Sequence, residues 1–416
     1  MSRLGGDGDG IAELADGTQL YLPLTLPGER VLARPTSRRG EGWAGVAEIL
    51  EPSPARVTPP CPHFGVCGGC AVQHWADPHY AAWKANLVAA ALRRAGFSAD
   101  GLILQRTPPR ARRRMDFALR RNQGSVTVGL HAARSDNLVD IQACEILHPK
   151  LFALVAPLRI VLKSLTAFRR EGSAIVNLLD SGPDLLLRLD GTPDTGDRTR
   201  LAAFAEAHGL PRVTCAPLRG GMETAAQLRP AVTRLQGVAI APPPGAFLQA
   251  SQAGEDAIVA AMLAGLPERL PARARVVELF AGVGTLTFAL AKRARVVAYE
   301  GDRVAADCLV AAVNGGGLAG RVAIGIRDLA RQPLAAKEMA GAAAIVLDPP
   351  YAGAAAQMEQ IAAAGAPRVI YVSCNPAALA RDARVLGMAG YRLIQSTAID
   401  QFLWSARVEG VAVFGR

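Results

Sequence analysis

The sequence predicts an α/β fold: a mostly parallel sheet covered on both faces by helices, preceded by an α+β central region and a small all-β unit. Three observations predict it. From residue 274 onward, short apolar runs rich in Val and Ile alternate with helical stretches, the pattern of strands buried on both faces. A glycine-rich turn, F-A-G-V-G-T at 280–285, follows directly on the first of those runs. Proline clusters at 52–62 and in A-P-P-P-G-A-F (241–247) break the chain ahead of that region. These breaks suggest three units, 1–54, 55–246 and 247–416. With 416 residues, half of them hydrophobic, the chain can build more than one core.

In order along the chain, residues 11–50 carry strand-like stretches broken at Asp16-Gly17 and Pro27-Gly28, which fit a small OB-like barrel. A cysteine cluster follows at 61–70. Asp77 opens a helix to about Gly96, with Tyr80, Trp83, Leu87, Ala91 and Leu92 at helical spacing. From 112 to 240, alternating runs (RMDFALR, SVTVGLH, SAIVNLL, DLLLRL) mix with helices near 148–165 and 197–209. Strands are then expected at 274–280, 294–300, 321–326, 343–348 and 368–373, with helices near 284–293, 303–314, 354–364 and 377–388. YRLIQSTAI (391–399) and VEGVAVFG (408–415) add two final strands. Five βα units followed by a strand pair is the layout of class I methyltransferases.

Charge and cysteine usage narrow the function classes. The net charge is +10, which points to an anionic partner such as nucleic acid. Arg outnumbers Lys 41 to 5, a bias that a GC-rich genome also produces, so distribution matters more than the total. Residues 102–134 hold eight arginines (106, 110, 112, 113, 114, 120, 121 and 134) against one acid, Asp116, and are expected to face a phosphate backbone. Seven cysteines, without an export signal in MSRLGGDGDGIAEL, argue against a disulfide framework and for metal or catalytic use in the cytoplasm. No apolar run has the ~18–20 residues that a membrane helix needs.

In VVELFAGVGTLTFALA (276–291), Gly282 and Gly284 permit a tight turn and a close approach of backbone to ligand. The third glycine of a dinucleotide fingerprint is absent. The next strand ends in Glu300, where an acid suits the two hydroxyls of an adenosine ribose, and the fourth ends in Asp348-Pro349-Pro350 at the ligand-binding edge. Together these favour S-adenosylmethionine over NAD. The fifth strand ends in Ser373-Cys374-Asn375-Pro376, placing a candidate nucleophile at the cofactor crevice. Cys215 and Cys308 lack such a setting and read as structural. Uracil C5 is too weak a nucleophile to attack a methyl sulfonium unaided. A thiolate that adds to C6 makes it an enolate carbon, and a base must then remove the C5 proton. Glu409 and Asp400 are both candidates for that base. C-P-H-F-G-V-C-G-G-C (61–70) with the distant Cys144 offers four thiolates, a set that suits Zn or [4Fe–4S].

On these motifs, together with VGLHAARSDNLVDIQAC (128–144), FLQASQ (247–252) and a terminal D-Q-F…E, the chain resembles the bacterial RNA uracil-5-methyltransferases of the TrmA/RumA type, and among them the iron–sulfur 23S rRNA enzymes. The resemblance spans nearly the whole chain. It implies a TRAM-type barrel at the N-terminus, Cys374 as nucleophile and Glu409 as base. It implies a cofactor site lined by Gln249, Phe280, Thr285, Glu300, Asp328 and Asp348. It also implies a [4Fe–4S] cluster on Cys61, Cys67, Cys70 and Cys144. The expected substrate is 23S rRNA, with tRNA as the alternative, and the expected enzyme is a cytoplasmic monomer. Two positions depart from the family pattern. Tyr351 stands where D-P-P-R is usual, and Leu403-Trp404-Ser405 stands where Pro-His-Thr is usual. D-P-P-Y (348–351) is also the signature of amino-group methyltransferases acting on adenine or glutamine, which keeps that activity as a rival. A non-catalytic RNA-binding or assembly factor on the same fold is a second rival.

Overall fold

The computed structural model describes residues 1–36, 42–217 and 221–416; residues 37–41, inside the expected barrel, and 218–220 lie outside the described residues. Strands β1 (Arg3–Leu4), β2 (Gly10–Glu13) and β3 (Gln19–Leu22) form an antiparallel sheet. β4 (Arg30–Pro35) and β5 (Ala44–Glu51) form a second, and the bridge Tyr21–Trp43 joins the two. The β2–β3 turn is the expected Asp-Gly turn: Gly17 has φ +84°, and Thr18 N donates to Asp16 Oδ1 at 2.9 Å. Among the described residues these strands make two small bridged sheets rather than one closed ladder.

Helix α1 (Asp77–Arg94) has Pro78 in its first turn, where no amide donor is lost, and Arg93 and Arg94 in its last, favourable to the helix dipole. After β6 (Ile103–Arg106), a central seven-stranded sheet is built from β7 (Arg114–Asn122), β8 (Ser125–His131), β9 (Leu138–Asp140), β10 (Glu171–Leu179), β11 (Gly182–Leu189), β12 (Arg212–Pro217) and β13 (Glu223–Gln227), in the order β13-β12-β11-β10-β7-β8-β9. Helices α2 (Pro149–Phe152), α3 (Val155–Ser164) and α4 (Thr195–Ala207) bury their apolar sides in this sheet's core, with Leu151, Leu158, Leu162 and Leu201 under it. One continuous helix was expected over 148–165. Two form, and Pro157, which has no amide hydrogen, lies in the first turn of the second. The hairpin β14 (Thr233–Leu235) and β15 (Val238–Ile240) leads out of this region.

The last region contains α5 (Gln252–Gly265), β16 (Arg275–Leu279), α6 (Thr287–Ala291), β17 (Arg295–Glu300), α7 (Arg303–Gly315), β18 (Val322–Ile326), α8 (Ala336–Met339), β19 (Ala344–Leu347), α9 (Ala355–Ala364), β20 (Arg368–Ser373), α10 (Pro376–Met388), β21 (Arg392–Asp400) and β22 (Glu409–Gly415). The sheet order is β18-β17-β16-β19-β20-β22-β21-β6. β16 to β20 run parallel, and β22 inserts antiparallel between β20 and β21. Alternate residues serve opposite faces: Val276 joins the core under α5 and α7, and Val277 the core under α9, α10 and α1. α1 and β6, although early in the sequence, therefore complete this sheet, with β6 pairing along β21.

What holds α1 there is buried and polar. Lys84 Nζ lies 2.9 Å from Asp400 Oδ1, and Tyr80 Oη donates to Asp400 Oδ2 at 2.5 Å. Tyr80 in turn accepts from Trp404 N at 2.7 Å, and Lys84 also donates to the carbonyls of Phe402 and Arg407. Helix α1 thus fixes the whole 400–407 loop between β21 and β22.

Candidate functional site

The carboxyl edge of the parallel sheet gathers the expected residues, and strand register explains how. Ser373 on β20 pairs with Gly410 on β22. The next positions along this antiparallel pair are Cys374 and Glu409, and the Glu409 carboxylate acts on the Cys374 thiol. On the other side, Leu347 pairs with both Leu279 of β16 and Tyr371 of β20, so Asp348 ends its strand beside Phe280 and the approach to Cys374. No single stretch of sequence contains this arrangement; three strand ends create it.

A buried hydrogen-bond chain links the two carboxylates. Gln401 Nε2 donates to Glu409 Oε2 at 2.7 Å and to Gln249 Oε1 at 2.9 Å. Gln249 Nε2 donates to Asp348 Oδ2 at 3.3 Å, and Ala250 N donates to Gln401 Oε1 at 3.2 Å. Glu409 Oε1 has no hydrogen-bond partner among the described residues, so one oxygen of this buried acid stays available. Gln401 bonds Glu409, Gln249 and Ala250 directly and reaches Asp348 through Gln249, yet sequence reasoning assigned it no role. Its position inside the terminal D-Q-F…E motif was the only signal. Asp400, the rival to Glu409, is engaged by Lys84 and Tyr80 and faces α1 instead of this chain.

Electrostatics set the protonation states. Burial, then the nearby Asp348 charge, push Glu409 well above the ordinary carboxylate range, against the Gln401 amide. Burial raises Asp348 to about 6, opposed by Gln249. Two carboxylates in one dry site resist ionising together. Cys374 is pushed up to about 12, chiefly by burial and then by Glu409 and Asp348, while Arg407 pulls it down. The thiol therefore rests protonated, and a ligand that brings positive charge would ease its ionisation.

Behind this edge lies the glycine turn. Phe280 has φ +62°, rare for a side-chain-bearing residue, which swings the chain out of β16 and into the loop. Gly284 has φ +103°, and a Cβ there would lie 2.6 Å from Phe288 and 2.7 Å from Leu309, so only glycine lets α6 and α7 close on the loop. A Cβ on Gly282 would meet nothing within 4 Å, which leaves open space above the turn. Glu300 Oε2 accepts from Gly282 N at 2.7 Å, and Oε1 from Asp302 N at 2.7 Å. Thr285 is half-buried in the same turn. Asp328 lies against Gly301, whose Cβ would come within 3.2 Å of it. It is exposed and accepts from Ala330 N and Arg331 N, which makes it a turn-former at the rim. Glu278, which drew no attention in the sequence, is fully buried on β16 beneath the loop. Its Oε2 has no partner among the described residues, and burial raises it to about 8. Four carboxyl groups (Glu278, Glu300, Asp348 and Glu409) thus border one edge, where a cationic ligand would favour their ionised forms.

Cys374 also lines a cavity of about 1580 Å³ that runs to Cys61, Cys67, Cys70 and Cys144, with Tyr351, Arg407, Arg112 and Trp75 on its walls. The four thiols influence one another: Cys67, Cys70 and Cys144 are raised mainly by burial and further by their neighbours' charges, Cys70 to about 12. Gly68 N donates to His131 O at 2.9 Å and Gln142 N to His63 Nε2 at 2.9 Å, which stitch 61–70 onto β8 and onto the segment after β9 that carries Cys144. Among the described residues, no three His, Cys, Asp or Glu side chains converge closely enough for a single metal ion.

The arginine run differs from expectation. Arg106, Arg110, Arg113, Arg120 and Arg134 are ion-paired with Asp77, Glu145, Glu255, Glu171 and Asp9. Arg121 donates to the Leu162, Lys163 and Leu165 carbonyls. Most of this charge binds the protein to itself. Arg112 faces the cavity, and Arg114 stacks 5.6 Å from the ring of Phe247, which is 69% exposed.

No family model matches the chain. Relatives do, over its full length. A Caulobacter vibrioides protein named as an uncharacterized RNA methyltransferase is 39% identical, covering 100% of this chain and 99% of its own. A Pectobacterium atrosepticum protein named 23S rRNA (uracil(1939)-C(5))-methyltransferase is 36% identical, covering 98% and 91%. In fold, the chain is similar to the Pyrococcus abyssi tRNA (uracil-54, C5)-methyltransferase in complex with S-adenosyl-L-homocysteine, with a TM-score of 0.73 at 17% identity, covering 100% of this chain and 99% of that one.

Proposed function

The chain belongs to the family of RNA uracil-5-methyltransferases, and from that premise we propose that it methylates C5 of one uridine in 23S rRNA, with Cys374 as nucleophile and Glu409 as base. The observation that carries the reading is the Cys374–Glu409 opposition at the β20–β22 end, with Glu409 tied through Gln401 and Gln249 to Asp348.

S-adenosylmethionine suits the carboxylate-rich edge and the open space over Gly282, and when bound it supplies an electrophilic methyl on a sulfonium. Gln249, Phe280, Gly282, Gly284, Thr285, Glu300, Asp328 and Asp348 would hold it. Cys374 loses its proton to water of the open cavity, and the thiolate adds to C6 of the uracil. The C5–C6 π electrons move onto the C4 carbonyl as an enolate, and C5 would take the methyl from the sulfonium, whose S–CH3 bonding pair stays on sulfur as a neutral thioether. Glu409 then removes the C5 proton through its unpartnered oxygen. The returning electron pair re-forms C5–C6 and expels the Cys374 thiolate. Asp348, by opposing a second negative charge, raises the basicity of Glu409 for this step.

Cys61, Cys67, Cys70 and Cys144 would hold a [4Fe–4S] cluster. The donor set is four thiols that line one cavity and act on one another electrostatically, and in a cube each would bind a different iron. The cluster would fasten 61–70 to the central sheet. Segments 1–54 and 55–246 would grip the RNA strand, and 247–416 would receive an extruded uridine. No helix among the described residues is long and apolar enough to cross a membrane. The reading places the enzyme in the cytoplasm, acting as a monomer.

Mass spectrometry of nucleosides from 23S rRNA and tRNA, with and without the gene, tests this. Loss of 5-methyluridine from one 23S fragment is expected. Loss from tRNA instead would move the substrate, and an N-methylated adenine lost in its place would transfer the chemistry to D-P-P-Y.

A further inference from the structure

The lip of the cavity above Cys374 carries a pair that the reaction as described leaves unused. The guanidinium carbon of Arg407 lies 4.3 Å from the centre of the Tyr351 ring, a cation–π stack. Tyr351 is 53% exposed, and its carbonyl accepts from Asn375 Nδ2 at 2.8 Å, which fastens the ring to the residue after the nucleophile. Arg407 is fixed at its backbone: its amide donates to Ser405 Oγ at 3.1 Å, and its carbonyl accepts from the buried Lys84. Tyr351, Cys374 and Arg407 line the same cavity.

The groups that act on Cys374 come from three elements. Glu409 on β22 and Asp348 after β19 are carboxylates, and Arg407, from the 400–407 loop, is the cation set against them. The reaction creates negative charge twice here, first on the sulfur and then on the uracil carbonyl oxygen. Two flanking carboxylates oppose both. A guanidinium stays charged at every working pH, so it can serve both moments without a proton transfer. In the family pattern an arginine follows D-P-P; here a ring stands at that position, and the guanidinium arrives from 407 to lie on it.

We propose that Arg407 is the positive charge against which the Cys374 thiolate and the anionic uracil adduct form, with the Tyr351 ring as the plate that holds the guanidinium over the site. This deepens the uracil-methylation reading and rests on it. The test follows iodoacetamide labelling of the Cys374 peptide against pH in the full-length protein, beside turnover on 23S rRNA. Arg407→Gln is expected to raise the labelling midpoint by about one pH unit and to lower kcat about tenfold. Arg407→Lys restores most of both, and Tyr351→Leu shifts the midpoint by less than Arg407→Gln does. An unchanged midpoint in Arg407→Gln overturns the inference, even if turnover falls, because a purely structural loop residue would act that way. A wild-type protein that forms no 5-methyluridine instead sinks the parent reading and the adduct half of this one.

Discussion

Glu409 shows how one side chain acquires a task from its setting. A free glutamate is too weak a base to be useful at neutral pH; burial and the neighbouring Asp348 raise it into a range where a carboxylate can take a carbon-bound proton. Glu409→Gln keeps the Gln401 contact in shape but removes the base. It should form the Cys374–RNA adduct and fail to resolve it. A protein–RNA band that survives denaturing electrophoresis is expected from Glu409→Gln and absent from Cys374→Ala, with turnover down about 10²–10⁴-fold. If no band accumulates while turnover is lost, the base lies elsewhere. Glu278 makes a different prediction. Its folded-state pKa is raised from 4.5 to about 8, so its contribution to stability is full below pH 4.5 and is lost as pH rises through 8. Glu278→Gln should therefore gain on the wild type as pH rises, and thermal melts at pH 5 and pH 8.5 would show it. A pH-independent difference would mean that the carboxylate is solvated.

At the scale of elements, the parallel strands were legible because each is a short Val- and Ile-rich run between breaks. The expected 294–300 and 368–373 appear as Arg295–Glu300 and Arg368–Ser373. Helix α6 is shorter than its pattern, only Thr287–Ala291, because the glycine turn takes up its first residues. β6 was illegible. It is four residues long at the edge of an arginine run, and only tertiary pairing with β21 makes it a strand. The same blindness hid Gln401 and the fates of the arginines, since partners distant in sequence decide both. Asp400 was a candidate base on proximity alone; Lys84 and Tyr80 of α1 engage it instead. Lys84→Met should cost about 3–5 kcal/mol by leaving Asp400 buried and unpaired, and Lys84→Met with Asp400→Asn should cost less than the single change. Urea midpoints decide it, and additive losses would deny the coupling.

For the whole molecule, net charge does not say which groups are free to meet RNA. Five arginines of the 102–134 run are spent on internal ion pairs, so the salt dependence of RNA binding should come from fewer residues than a count suggests. Arg112→Ala and Arg114→Ala should each flatten the slope of log K against log salt by about 0.7, whereas Arg110→Ala leaves it unchanged. Filter binding across a salt series measures this, and an equal response from Arg110 would restore the original picture. Ile103 pairs with Thr397, 294 positions later, and all seven strands of the central sheet lie in between. A contact of that span closes late, because its loop entropy must be met before the pairing gains anything. During synthesis the apolar side of α1 and the open edge of β6 wait uncovered while the rest of the chain emerges. The protein therefore has a slow final folding step and a long window in which a holdase chaperone would find a target.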